Sequence, residues 1–335
     1  MDYLILLAPA ANRVYAAGAN QLVAAELEIL LGGRPVEPET LAGVSYLAVS
    51  CDDGDLPQLA RLSAGYAVFE RVGEHLRPVE VPRTDRFDDD LVSIPKYSGK
   101  TNEQFTRLLT NVTLAAVARP ASGPSPAKRI SILDPLCGRG TTLSTGLTLG
   151  HDVAGVDSDT KAVEAYAAFL KTYLRRKRLK HSADLTPVRR EGRAIGRRLD
   201  VQVSPAPGAE PQSLTVFTGD TRQSAALFGK RRFDAIVTDA PYGVVHGSDA
   251  GSKRDRSAAG LLAAALPVWA TQLKVGGALG LAWNALGLRR QALVEIAAEA
   301  GLEPLDDGPY GRFAHRVDSS IQRDVLVATR PLRAV

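Results

Sequence analysis

The sequence predicts an α/β fold, a mostly parallel sheet covered by helices on both faces, preceded by a smaller α+β unit. Three observations carry this. From Arg129 onward, short apolar runs alternate with stretches of helical spacing, the pattern of strands joined by crossover helices. The turn Cys137-Gly138-Arg139-Gly140 lies just beyond the first of these runs, where a strand passes into a helix. Residues 1 to about 95 carry a separate alternation, and 335 residues suffice for two units of ordinary size.

The first unit reads as a strand at Tyr3-Leu7, a helix over about Asn20 to Leu31, a strand at Val44-Ser50, a helix at Leu56-Leu62 and a strand at Gly65-Val72. Residues 96–128 form a helix and linker. Phe105, Leu108, Leu109, Val112 and Ala116 share one helical face, and Arg119 to Lys128 holds three prolines and a glycine, which suits a loop. Residues 129–335 form the larger unit, with strands at Ile130-Leu133, Asp152-Val156, Leu214-Phe217, Phe233-Val237 and Ala278-Trp283. A final apolar run, Val325 to Ala328, predicts a closing antiparallel hairpin at the sheet edge.

Two interruptions stand out. The stretch from about 175 to 212 is a basic insertion, and His181 to Gln212 is too long for an ordinary connection, so it reads as an inserted hairpin or a mobile loop. Val245 to Gly260 is polar and glycine-rich, which makes it a candidate lid.

Composition excludes several classes. With 45% hydrophobic and 23% charged residues, the chain is neither disordered nor fibrous. The N-terminal apolar run is too short for a signal peptide, and no run reaches the ~18 apolar residues of a membrane span, so a cytoplasmic protein without membrane contact is expected. Cys51 and Cys137 have no companion spacing, so neither a disulfide framework nor a metal site is expected. The net charge is only +4, but Lys171 to Arg198 holds eleven Lys or Arg against Asp184 and Glu191. That concentration suits either a solvated helix face or an anionic partner.

Candidate chemistry sits at the strand ends. Gly138 and Gly140 allow backbone to approach a ligand at a helix N-terminus. Asp157, at the end of the second strand, stands where a nucleoside-binding fold places its ribose carboxylate, and Asp220 follows the third strand where it can accept from an adenine amino group. Each acid alone is more often a helix cap or turn former, but their joint placement at successive strand ends is not expected by chance. The segment Asp239-Ala240-Pro241-Tyr242 has a sharper logic. A nucleobase amine is a poor nucleophile because its lone pair is delocalised into the ring. A carboxylate and a backbone carbonyl that accept both its protons turn that lone pair toward an electrophile. Pro241 stiffens the loop, and Tyr242 offers a face on which a base can stack. His246 and His315 are isolated and receive no catalytic role.

Asp134-Pro-Leu-Cys-Gly-Arg-Gly-Thr-Thr142 and Asp239-Ala-Pro-Tyr-Gly243 together resemble class I S-adenosylmethionine-dependent methyltransferases of the amino-methylating group. More narrowly, they resemble the tRNA guanosine N2-methyltransferases acting at position 10, and Gly99-Lys-Thr-Asn-Glu-Gln-Phe-Thr106 is similar to the helix start preceding their catalytic domain. The resemblance spans roughly residues 95 to 330 and implies a Rossmann-like domain with a seven-stranded, mostly parallel sheet. It implies S-adenosyl-L-methionine as cofactor, held by Asp134, Cys137, Gly138, Gly140, Asp157 and Asp220. Asp239, Ala240, Pro241 and Tyr242 would hold an extruded guanosine; the basic insertion after Lys171 departs from the family pattern, and in place of the missing RNA-binding surface Lys171, Arg175, Arg178, Arg193 and Arg197 would hold RNA phosphates.

The first 95 residues look similar to that family's ferredoxin-like part. The THUMP domain that normally follows has too little chain here, and Ala240 replaces the usual first proline. Some members of the resembled family need a small activator protein. DNA adenine-N6 or cytosine-N4 methylation and rRNA guanine-N2 methylation use the same kind of loop and remain alternatives, as does a non-catalytic RNA-binding protein.

Overall fold

A first, wholly antiparallel sheet is formed by β1 (Asp2–Leu7), β2 (Val36–Leu41), β3 (Val44–Ser50), β4 (Gly65–Val72) and β5 (His75–Val79). In this computed structural model, residues 1–9, 13–97, 99–118, 129–190, 193–241 and 258–332 are described. The sheet order is β2-β3-β1-β4-β5, with helices α1 (Arg13–Leu30) and α2 (Leu56–Arg61) as its crossovers. The first four strands have the split arrangement of a ferredoxin-like unit, to which β5 adds an edge. Strands β2 and β5 are not among those the sequence predicts. Both carry proline and are largely exposed, so they lack the alternation of a half-buried strand.

Helix α1 serves two cores. Val23, Ala24, Leu27 and Leu31, the last just beyond its end, pack on the first sheet, whereas Leu22, Ala25 and Ile29 join the core of the larger unit. At this seam Glu26 is fully buried and accepts hydrogen bonds from Ser63 N (3.1 Å), the Ser63 hydroxyl and Asn111 Nδ2 (2.7 Å). Burial pushes its carboxyl up to about 7. Nearby, Arg107 grips both oxygens of Asp85 at 2.7 and 2.8 Å.

The short α3 (Asp90–Ser93) and the long α4 (Glu103–Ala116) lead toward the second sheet. Asn102 caps α4 by accepting from Phe105 N at 3.1 Å, and of the apolar face expected from the sequence, Phe105, Leu108, Leu109 and Val112 are buried and Ala116 is half-buried. The predicted linker Arg119 to Lys128 lies outside the described residues.

The larger unit runs β6 (Ser131–Asp134), α5 (Thr141–Thr148), β7 (Asp152–Asp157), α6 (Thr160–Arg176), β8 (His181–Arg190), β9 (Arg193–Val203), β10 (Gln212–Thr218), α7 (Ser224–Phe228) and β11 (Phe233–Asp239). It continues with α8 (Ala258–Gln272), β12 (Leu273–Asn284), α9 (Arg290–Glu299), β13 (Glu303–Leu305), β14 (His315–Arg316) and β15 (Gln322–Thr329). The strand order is β13-β15-β12-β11-β6-β7-β10-β9-β8, with β14 beside β15. Strands β6, β7, β10, β11 and β12 are mutually parallel, and β15 is antiparallel to β12. The α/β fold is the expected Rossmann-like one, but among the described residues its sheet has ten strands where seven were expected, and it is mixed because β8, β9, β13, β14 and β15 all pair antiparallel to their neighbours.

Of the two readings for residues 181–212, the hairpin holds: β8 and β9 pair over their whole length and extend the sheet beyond β10. The order of the parallel strands reverses between β6 and β11. Such a switch point opens a crevice at the carboxyl ends of the strands, where ligands of open α/β sheets bind.

Candidate active site at the switch point

Four acids stand at the carboxyl ends of adjacent parallel strands. Asp134 ends β6, Asp157 ends β7, Asp220 follows β10 and Asp239 ends β11. Asp134 is buried, and its Oδ1 accepts from Leu136 N (3.1 Å) and from the Thr238 hydroxyl on β11 (2.8 Å). Burial pushes its carboxyl up to about 7.

The loop from β6 to α5 is tied to β7. Cys137 N donates to Val156 O at 3.0 Å, Gly140 N to Cys137 O at 2.7 Å, and Gly138 N to Asp157 Oδ2 at 2.7 Å. The two glycines have different causes. Gly140 has φ +78° and abuts Tyr166, whose ring would lie 2.5 Å from an added Cβ, so packing excludes a side chain there. Gly138 has φ +48° and open space where a side chain would stand, which leaves its backbone accessible to a ligand. Cys137 is a packing residue. Its sulfur would lie 2.7 Å from a Cβ on Gly155, burial raises the thiol well above its ordinary range, and only its backbone is suited to a ligand contact.

Asp157 accepts from Asp159 N at 2.8 Å through Oδ1 and from Gly138 through Oδ2. One backbone donor on each oxygen leaves acceptor capacity for a diol. Asp220 follows β10 as expected but is already engaged. It accepts from Arg222 N at 2.9 Å as the cap of a short helical turn, and the Arg222 side chain pairs with it at 2.7 Å and holds its carboxyl below the ordinary range. The capping alternative describes the contacts observed, and an adenine contact would require Arg222 to share the carboxylate.

Asp239 accepts from the Thr101 hydroxyl at 2.6 Å, and Arg323 Nη2 lies 3.9 Å from the same oxygen, Oδ2. Ala240 is buried, and its N–H donates to Ala282 O at 2.8 Å, which fixes the start of the loop against β12. Pro241 is exposed, whereas Tyr242 and most of the candidate lid, residues 242–257, lie outside the described residues.

Tyr97 and Thr101 contact opposite sides of the switch point. The Tyr97 hydroxyl pairs with the Thr141 hydroxyl at 2.8 Å at the start of α5, and the Arg139 guanidinium stands 5.0 Å over the Tyr97 ring. Thr101, on the other side, reaches Asp239. The helix start at 99–106 stands out in the sequence, but these contacts do not, because they join segments far apart in the chain. Arg323 gave no signal either, since a lone arginine opening an apolar strand reads as a surface residue.

The basic residues divide into two groups. Helix α6 begins beside the end of β7 and ends just before His181, which pairs with Val203, itself opposite Gln212 at the start of β10. Arg175 and Arg178 therefore stand at the amino edge of the sheet, away from the four acids, with Lys171 about one turn nearer. The β8–β9 hairpin points the other way. Arg197 N donates to the Thr218 hydroxyl at the end of β10, so residues 187–190 and 193–196 project past the carboxyl edge by about 13 Å. This arm carries Arg189 and places Arg193 opposite Arg190, while the Arg197 side chain at its base pairs with Glu164 at 2.6 Å.

Among the described residues, no group of three His, Cys, Asp or Glu side chains is arranged to hold a metal, and no helix is long and apolar enough to cross a membrane.

No protein-family model matches the chain, and no curated protein matches it. Among solved structures it is similar to TrmN from Thermus thermophilus, at 16% identity and a TM-score of 0.45, over 98% of this chain and 99% of that one. It is also similar to a methyltransferase from Pyrococcus furiosus, at 12% identity and a TM-score of 0.41, over 71% and 88% of the two chains. A third is magnesium protoporphyrin IX methyltransferase (ChlM) from Synechocystis PCC 6803 with bound SAM, at 14% identity and a TM-score of 0.39, over 70% and 86%.

Proposed function

We propose that this chain is an S-adenosylmethionine-dependent methyltransferase that methylates the exocyclic N2 amine of a guanosine in tRNA. The observation that carries the reading is the placement of Asp239 and Ala240 at the end of β11, directly across the switch point from Asp134 and the Gly138 loop. Acceptors for an amine then face a pocket for the methyl donor.

The residues fit that donor. A pyrophosphate would need loop amides, but Gly138 N is already bonded by Asp157, and two buried or half-buried acids repel anions. A ligand with a ribose diol and a cationic sulfonium and ammonium group suits the same acids. When bound, S-adenosylmethionine supplies an electrophilic methyl group. Asp157 would hold the ribose, while Asp134 and the backbone of Cys137, Gly138 and Gly140 would line the methionine end. Asp220 would lie toward the adenine.

The chain's own residues supply the rest. Asp239 and the Ala240 carbonyl accept the two amine protons and turn the nitrogen lone pair out of the ring plane. Asp239 then takes the proton that the nitrogen loses, directly or through water. The guanosine must leave its stack to arrive there, and Tyr242 is proposed to stack on it. The β8–β9 arm, with Arg189, Arg193 and Arg197, is proposed to follow the RNA backbone beyond the target. Lys171, Arg175 and Arg178 are retained only for a long RNA that reaches the other edge. An activator protein belongs to the same reading, its need to be tested by adding cell extract to the purified chain.

The test is transfer of labelled methyl from S-adenosylmethionine to total tRNA, rRNA and genomic DNA in parallel, followed by nucleoside mass spectrometry. N2-methylguanosine in tRNA supports the reading. Methyladenine or methylcytosine in DNA would keep the mechanism and change the substrate, and absence of cofactor binding by calorimetry would overturn both.

A further inference from the structure

We infer that Arg323 and Thr101 are positioning residues that hold the Asp239 carboxylate in one orientation, an inference that rests on the proposed role of Asp239. Arg323 is the second residue of β15, opposite Asn284 at the carboxyl end of β12, so it stands on the same edge as Asp239. Its side chain is only 7% exposed. The guanidinium lies 4.4 Å over the ring of Phe105, which is itself fully buried at the start of α4.

Such burial is costly. A guanidinium withdrawn from water loses hydration that a partner must restore, and an apolar side chain at 323 would pack on Phe105 without that cost. Asp324, the neighbouring acid, is engaged by Arg290 at 2.9 Å, whereas Arg323 is turned toward Asp239. Thr101 and Arg323 converge on one oxygen, Oδ2, from α4's approach and from β15. The hydroxyl donates to that oxygen at 2.6 Å and the guanidinium faces it as an ion-pair partner at 3.9 Å, and together they restrain the position and the plane of the carboxylate. Acceptance of an amine proton depends on that plane, because a small misplacement of a reacting group can lower a rate by about 100-fold. Tyr97, four residues before Thr101 in the chain, pairs with the Thr141 hydroxyl at the start of α5 on the cofactor side of the cleft.

The experiment compares wild type with Thr101→Val, Thr101→Ser, Arg323→Met, Arg323→Ala and Arg323→Lys, using S-adenosylmethionine and unfractionated tRNA. For Thr101→Val and Arg323→Met, kcat should fall by about 10- to 100-fold. KM for tRNA and cofactor affinity should stay within about twofold. Thr101→Ser should restore most of the rate, and millimolar guanidinium chloride should rescue Arg323→Ala in part. Unchanged kcat in folded variants, or a loss in KM alone, would overturn the inference. Crystal structures of Thr101→Val and Arg323→Met decide independently of turnover: a reoriented Asp239 side chain supports positioning, and an unmoved one refutes it. A wild-type enzyme that methylates no tRNA would refute the proposed function instead and leave the crystallographic comparison to decide the positioning role.

Discussion

Glu26 and Asp134 are carboxyls of similar burial in two different regions. Burial pushes each up to about 7, yet their surroundings differ. Glu26 lies in the seam between α1 and α4, enclosed by donors from Ser63 and Asn111. Asp134 lies at the end of β6 beside a glycine whose side-chain position is open space, one strand from Asp239. A perturbed acid alone therefore marks no site. It becomes a functional candidate where parallel strands end at a switch point beside accessible backbone.

The strongest break of this comparison is at the cleft. Asp239→Ala should lower methyl transfer by at least about 1000-fold while cofactor affinity measured by calorimetry changes less than about twofold. Equal loss of both would remove Asp239 from its proposed role.

At the seam the expected effect is on folding. Glu26→Ala leaves buried donors at Ser63 and Asn111 without their acceptor and should cost about 2–4 kcal/mol in urea unfolding, with cofactor affinity retained in the folded fraction. Glu26→Gln sharpens the point through pH. The folded-state carboxyl titrates at about 7 against an ordinary 4.5, so the folded state binds more protons between those values. Wild-type stability from this group therefore falls as pH rises through that window and levels off above it. The stability of Glu26→Gln relative to wild type should rise from pH 5 to pH 8, and a flat difference would contradict the burial argument.

Asp134 should express its raised value in binding instead. A cationic ligand favours its ionised form, so affinity for S-adenosylmethionine should weaken as pH falls below about 7, by at most tenfold per pH unit. Asn at position 134 should abolish that slope in calorimetric titrations.

The smallest effect separates the two basic groups. Replacing Arg189 by Ala should reduce the salt dependence of tRNA binding by roughly one unit of slope, as loss of one phosphate contact does. The double substitution Lys171→Ala with Arg175→Ala should leave the slope within error, because these residues lie toward the opposite edge of the sheet. Filter binding between 50 and 200 mM salt distinguishes the two.

Much of the architecture was legible because burial imprints itself locally. The runs at Ile130-Leu133, Asp152-Val156 and Phe233-Val237 are apolar because both faces of a parallel sheet are covered, and each became a strand within two residues of its expected bounds. The edge strands Val36–Leu41 and His75–Val79 were not legible, since their partners, not their own periodicity, make them strands. The same distinction holds in the cleft. Asp134, Gly138, Asp157 and Asp239 announce themselves by following strands, whereas the engagement of Asp220 by Arg222 depends on a side-chain conformation that spacing does not specify.

By itself, the sequence determined the alternation of strands and helices, the glycine turn after the first parallel strand and the presence of an acid at each successive strand end. Periodicity and backbone permissiveness are properties of neighbouring residues, so they can be read without coordinates. Only the tertiary structure decided that the β8–β9 hairpin projects past the cleft while Arg175 and Arg178 stand at the opposite edge, and that Thr101 and Arg323 meet at Asp239. Those outcomes depend on which strand ends share an edge of the sheet, and that is fixed by long-range packing.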